Sequence, residues 1–95
     1  MESSEKIISK GAAASIAEEA RDIGKTVVLA HGVFDLLHIG HVQHLEAAKR
    51  EGDILIVSIT EDAFVNKGPD RPVFPAETRA EMIAALELVS WVIIN

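Results

Sequence analysis

The chain has 95 residues, of which 48% are apolar and only 4% aromatic, and it carries a net charge of −6. That length holds one domain with an aliphatic core; the acidic balance without a basic stripe argues against nucleic acid as a partner, and the lack of cysteine rules out disulfides and thiolate zinc sites. The acidic, polar start Met1–Glu5 is unlike a secretory leader and no apolar run is long enough to span a bilayer, so the expectation is a cytoplasmic protein with no membrane partner.

Residues 1–4 read as a loose lead-in. From Ala12 to Asp22 the pattern is helical, with Ile16, Ala20 and Ile23 on one face and Glu18, Glu19, Arg21 and Asp22 outside. Gly24 suits the left-handed residue that ends such a helix. Thr26–Ala30 is nearly all β-branched or apolar, as in a parallel strand buried on both faces. A glycine-containing turn follows. A second helix starts at Gly40 or His41 and runs to about Arg50, with Val42, Leu45 and Ala48 inward and Gly52 at its end. Ile54–Ile59 is a second buried strand. Phe64–Pro72 is rich in turn residues, with Arg71 and Arg79 having Asp70, Glu77 and Glu81 as local ion-pair partners. Pro75 opens a third helix, lined inside by Met82, Ile83, Leu86 and Val89, and Trp91–Ile94 is a third strand.

The order βαβαβ predicts an α/β fold: a Rossmann-like, doubly wound parallel sheet. We divide the chain as one domain over 1–95, a helical segment over 1–25 and a nucleotide-binding βαβαβ unit over 26–95. Ligands of such sheets bind beyond the carboxyl ends of the strands. That rule places His31–His41 and Thr60–Arg71 at one rim. A strand that passes through a glycine turn into a helix start is a place to hold phosphate, because the first helical turn has unpaired N–H groups and a positive dipole end. Gly40 would let a ligand approach that backbone, and His38 and His41 add donors at the same point. A metal site on His38, His41 and His44 is not expected: steps of three rotate the rings apart around a helix, and no cysteine completes a set. His31 either touches a nucleotide or merely ends the strand.

Gly32-Val33-Phe34-Asp35 followed by His38-Ile39-Gly40-His41 resembles the G-x-F-D and HxGH hallmarks of the cytidylyltransferase-like nucleotidyltransferases. Lys67-Gly68-Pro69, Arg71-Pro72-Val73, Glu77 and Arg79 bring the chain closest to the heptose-1-phosphate adenylyltransferase domains of bifunctional sugar kinase/adenylyltransferases. Glycerol-3-phosphate cytidylyltransferases share Phe34–His38 but are less similar around Lys67–Val73. The resemblance covers nearly everything from Lys6 onward, with two departures. Ser90 stands where many relatives have aspartate, which reads as a surface change. The chain also stops at Asn95, before a further strand–helix segment with a Ser/Thr-rich nucleotide motif, and so reads as C-terminally truncated. In the usual strand order that leaves Thr26–Ala30 as an open apolar edge, and the expectation is a homo-oligomer or part of a longer chain.

The resemblance implies transfer of a nucleoside monophosphate, AMP favoured, from a triphosphate to a sugar or polyol phosphate, with release of pyrophosphate. The alternatives are a CTP-using glycerol-3-phosphate type of transferase and a non-catalytic nucleotide-binding module. His38, His41 and Lys67 take the catalytic roles. Gly32, Val33, Phe34, Gly40 and Arg79 take the nucleotide or phosphate, Arg79 alternatively fixing the loop. Asp35 orients the turn or meets the acceptor. Magnesium arrives with the triphosphate, held mainly by phosphate oxygens and waters, and no protein metal site is expected.

Overall fold

A computed structural model describes residues 2–95. Three parallel strands, β1 (Val27–Gly32), β2 (Ile54–Ile59) and β3 (Trp91–Ile94), form one sheet in the order β1-β2-β3. Val27 pairs with Ile54 and runs in register to Gly32 with Ile59; Ile56 pairs with Trp91 and Ile59 with Ile94. Three α-helices accompany it: α1 (Lys10–Asp22), α2 (Ile39–Lys49) and α3 (Ala76–Ala84). The α/β class and the βαβαβ order are as the sequence predicts, and β2 and β3 have the predicted ends.

Alternation along the strands divides the sheet into two faces. On one, Ala30, Leu55, Val57, Ile59 and Val92 join Phe34, Leu45, Ala80, Ile83, Ala84 and Val89 in the main core. Both crossover helices lie there, α2 against β1 and β2 and α3 against β2 and β3. The other face carries α1. An alanine stripe, Ala13, Ala17 and Ala20, is its buried side, and a hollow of about 260 Å³ separates Lys10, Ala13 and Ala17 from Val27, Leu29, Ile56 and Ile93.

Several expectations are corrected. Ile23 is 71% exposed, because the helix has ended and small alanines, not isoleucines, set the distance to the sheet. α1 begins earlier than predicted, at Lys10, because the Ser9 hydroxyl caps it by accepting the Ala12 N–H at 3.1 Å. Thr26 lies outside β1 and Leu29 is 64% exposed, so this strand is not buried on both faces: only β2 flanks it, and α1 covers its outer face incompletely. Residues 3–6 form a 3-10 turn rather than a loose end, Ile7 bridges Val92, and the Ile8 N–H donates to the Val92 carbonyl at 2.9 Å. The expectation for Met1 lies outside the described residues. Gly52 does not end α2 in the left-handed region: a Cβ there would meet the Thr26 carbonyl oxygen at 2.9 Å, so it is a close-approach glycine against the start of β1. α3 ends at Ala84, which leaves Leu86 and Val89 packing from the following turn. Ser90 is no surface substitution: its hydroxyl accepts the Leu55 N–H at 3.1 Å and its N–H donates to the Leu55 carbonyl, joining the foot of β3 to β2.

At Gly24 the φ of +82° closes α1 with a paired return, Gly24 N–H to Arg21 and Lys25 N–H to Ala20. A side chain there is strained. Gly11, inside the helix, is different: a Cβ added to it would meet only the Ser9 hydroxyl, at 4.0 Å. Opposite signs are therefore expected in chemical denaturation: Gly24→Ala destabilises by about 1 kcal/mol, and Gly11→Ala stabilises by about 0.4–1 kcal/mol.

Candidate active site

The carboxyl ends of the strands feed two segments, Val33–His38 after β1 and Thr60–Pro75 after β2. Phe34 occupies the left-handed region at φ 54°, which turns the chain sharply and drives its ring into the core, 4% exposed. Gly32 is required by that ring: a Cβ would lie 2.9 Å from it. The same ring meets His41 in a T-shaped contact, with centroids 5.3 Å apart. The N–H groups of Val33 and Phe34 have no hydrogen-bond partner among the described residues.

The two histidines form a reciprocal cap at the start of α2. The His38 ring accepts the Gly40 N–H at Nδ1 (3.0 Å), and the His41 ring accepts the His38 N–H at Nδ1 (3.1 Å). The rings stack with centroids 3.9 Å apart. A backbone N–H can only donate, so each Nδ1 presents its lone pair inward, and the proton of each neutral ring sits on Nε2. The first-turn donors expected to face phosphate are thus partly taken by imidazoles, which carry donor capacity outward on Nε2–H. Gly40 also makes room for the cap, since a Cβ there would strike the His38 ring at 2.8 Å.

Burial lowers the pKa of His41 below its ordinary value, and the positive charges of His38, Lys67 and His44 lower it further. Lys67 is itself exposed, on the loop between β2 and α3, and its charge is felt at His41. His44 is exposed on α2, and no group of three or more metal-ligating side chains occurs among the described residues. His31 meets Ser58 Oγ at 2.9 Å and Thr60 Oγ1 at 3.3 Å, which ties β1 to the end of β2.

Asp35 and Arg79 are both built into the frame. Asp35, 2% exposed, accepts the N–H groups of Val73 (2.7 Å) and Phe74 (3.1 Å) and Arg71 Nε (3.1 Å), while Arg71 Nη2 donates to the Asp35 main-chain carbonyl. Burial alone pushes this carboxyl up; the N–H groups of Val73 and Phe74 and the Arg71 guanidinium outweigh it and hold the pKa below the ordinary value. Of the two roles expected for Asp35, this is the turn-orienting one. Arg79 is fully buried and donates to the carbonyls of Phe74, Val33 and Thr60 at 2.8–2.9 Å and to Asp62 Oδ1 at 2.5 Å. Its guanidinium is enclosed by the protein, so the phosphate-binding expectation for Arg79 is replaced by the loop-fixing one. The expected local ion pairs are also replaced: Arg71 pairs with Asp35 and Arg79 with Asp62. Sequence spacing favours neighbours along one helix or turn, whereas these partners meet through the fold.

The cytidylyltransferase-like family model matches residues 29–95, a span that contains both the Gly32–Asp35 turn and the His38–His41 cap. The chain belongs to the cytidylyltransferase-like family. It is similar to the bifunctional protein HldE of Edwardsiella ictaluri, 52% identical over 77 residues that make up 79% of this chain and 16% of that protein. HldE of Wolinella succinogenes is 43% identical over 98% of this chain and 20% of that protein. The chain thus spans a fifth or less of these relatives. The crystal structure of a lipopolysaccharide core biosynthesis protein from Thermoplasma volcanium superposes with a TM-score of 0.70 at 35% identity, covering 76% of this chain and 59% of that one.

Two pH effects follow. The folded-state pKa of His41 is depressed, so its share of stability is present above the ordinary value of 6.5 and is lost as pH falls below it. That of Asp35 is depressed from 3.8, so its share is present above that value and is lost at still lower pH. Urea midpoints from pH 8 to pH 3 are expected to fall in two stages, and His41→Gln is expected to flatten the upper stage only. Asp35→Asn leaves buried donors with fewer acceptors and is expected to cost about 1–3 kcal/mol at pH 7.

Proposed function

We propose that the chain is a nucleotidyltransferase domain that activates a sugar or polyol phosphate, with ATP as the favoured triphosphate. An oxygen of the acceptor phosphate attacks the α-phosphorus. A new P–O bond forms, the bond to the bridging oxygen breaks, and pyrophosphate leaves with that electron pair. The nucleophile is already an anion, so positioning and charge stabilisation supply the rate. The observation that carries this reading is the pair of Nε2–H groups, each fixed by its own Nδ1 acceptor bond, at the start of α2 with Lys67 within electrostatic reach.

In this reading His38 and His41 donate to the α-phosphate and bridging oxygen as negative charge develops. Lys67 brings a point charge to the phosphates, and the N–H groups of Val33 and Phe34 cradle them. A lowered His41 pKa suits a neutral donor, whose Nδ1 stays free to accept the His38 N–H. Magnesium enters with the triphosphate, on phosphate oxygens and waters, since the rim carboxylates Asp35 and Asp62 are engaged by arginines. ATP rests on the Lys67–Val73 segment and its likeness to the adenylyltransferase branch. A carbohydrate acceptor is supported by the structural relative named for lipopolysaccharide core biosynthesis.

Pyrophosphate release from the four ribonucleoside triphosphates, with magnesium and a panel of sugar and polyol phosphates, tests this reading. Acceptor-dependent release is expected with ATP. His41→Ala is expected to lower it by about 10²–10³-fold. His38→Asn is expected to do the same while keeping a good helix cap, so its melting temperature stays close to that of the parent. Saturable triphosphate binding without release would favour the non-catalytic module, and release with CTP alone would favour the cytidylyl alternative.

A further inference from the structure

The site needs to hold two anionic substrates, yet one of its rim cations, Arg79, is sealed inside the protein. Arg71 is different. Its side chain is 30% exposed, and only two of its N–H groups, on Nε and Nη2, are engaged, both with Asp35. The Nη1 group and the second Nη2 hydrogen have no partner among the described residues. A guanidinium held along one edge keeps its other edge as a planar fork, which matches two oxygens of a phosphate. Asp35 is itself fixed by the N–H groups of Val73 and Phe74, so the fork is oriented before any ligand arrives.

We propose that Arg71 binds the phosphate group of the acceptor, a carbohydrate phosphomonoester, with Asp35 as the residue that positions its guanidinium. The inference rests on the nucleotidyltransferase reading for the identity of the second substrate. Arg71 is fixed on the Asp35 turn, through Asp35 Oδ2 and the Asp35 main-chain carbonyl, and not on the histidine cap of α2. The surroundings of Arg71 also suit a sugar or polyol: Leu36, Val73 and Phe74, adjacent in sequence to Asp35 or bonded to it, are 48%, 51% and 36% exposed. Such apolar side chains beside a fork can cover the C–H face of a carbohydrate while the fork takes its phosphate.

Direct binding tests this without requiring turnover. Glucose 1-phosphate, glycerol 3-phosphate, inorganic phosphate and ATP with magnesium are titrated into the full chain, the Arg71 Nε–H signal and the backbone amides being followed by NMR. The same titrations are made on Arg71→Gln, Arg71→Lys and Lys67→Gln. The expected result is that at least one phosphomonoester shifts the Arg71 Nε–H signal and binds at least tenfold more weakly to Arg71→Gln, while ATP affinity changes less than twofold. Arg71→Lys is expected to retain part of the monoester affinity, and Lys67→Gln to weaken ATP instead. Unchanged Val73 and Phe74 amide signals in Arg71→Lys would show that the loop is still in place. Monoester binding that ignores Arg71, or loss of ATP binding in Arg71→Gln with the loop intact, overturns the proposal. Arg71-dependent monoester binding without ATP binding supports the Arg71 site and sinks the nucleotidyl reading. ATP binding without any monoester binding does the reverse.

Discussion

A single buried guanidinium holds the rim together. Arg79 reaches from α3 to the carbonyls of Val33, Thr60 and Phe74 and to Asp62, so the turn after β1, the exit of β2 and the approach to α3 share one hub. A buried charge is costly unless its donors are satisfied, and here carbonyl oxygens do most of that work, with one half-exposed carboxylate balancing the charge. Those carbonyls end strands or lie in loops and have no ladder partners of their own to lose. Asp35 is the acidic counterpart, an acceptor for two backbone N–H groups and one arginine. Between them, a positive and a negative side chain saturate irregular backbone that a short sheet leaves open.

The histidine pair is a different solution to the same problem. A helix start leaves N–H groups without partners, and serine or aspartate oxygens usually accept them. Imidazole does this and remains a donor at its far nitrogen, which an oxygen cap of aspartate cannot do. The cap therefore does not cancel the positive end of α2; it moves it outward by the width of a ring. At His41, protonation would put a hydrogen on the Nδ1 that accepts the His38 N–H, so the cap works in the same direction as the burial that lowers this ring's pKa. The stack at 3.9 Å sets two such rings side by side, where two positive charges would repel.

Much of the fold is legible in the sequence because apolar runs bounded by turn residues have few alternatives: β2 and β3 match their expected ranges to the residue, and Gly24 ends α1 as its position suggests. The sequence is opaque where a residue type admits two uses. Arg79 has the same letter whether it meets phosphate or carbonyls, and only burial separates them. Gly32 and Gly40 read as phosphate-binding positions, and their letters do not show that a Cβ at either would also meet a ring, that of Phe34 or of His38. Ser90 looks superficial because spacing cannot show that a hydroxyl faces a neighbouring strand. The alanine stripe of α1 is hidden for a related reason: alanine is a weak hydrophobic signal, and its packing value emerges only when a sheet lies close by. In the candidate site, the residue types and their grouping at one rim are readable, and the division of labour between Arg71 and Arg79 is not.

The bridge between Ile7 and Val92 bears on how the molecule is made. A ribosome delivers the first of these residues long before the second, and the stretch beside β3 has no backbone partner until all three strands have emerged. The border of the sheet beside β3 thus depends on a contact between early and late segments across the intervening sequence. Contacts of such long separation form slowly, because the loop between them must first be ordered. Docked there, the N-terminal segment covers part of the outer border of β3, which without it would be open to pairing with another chain.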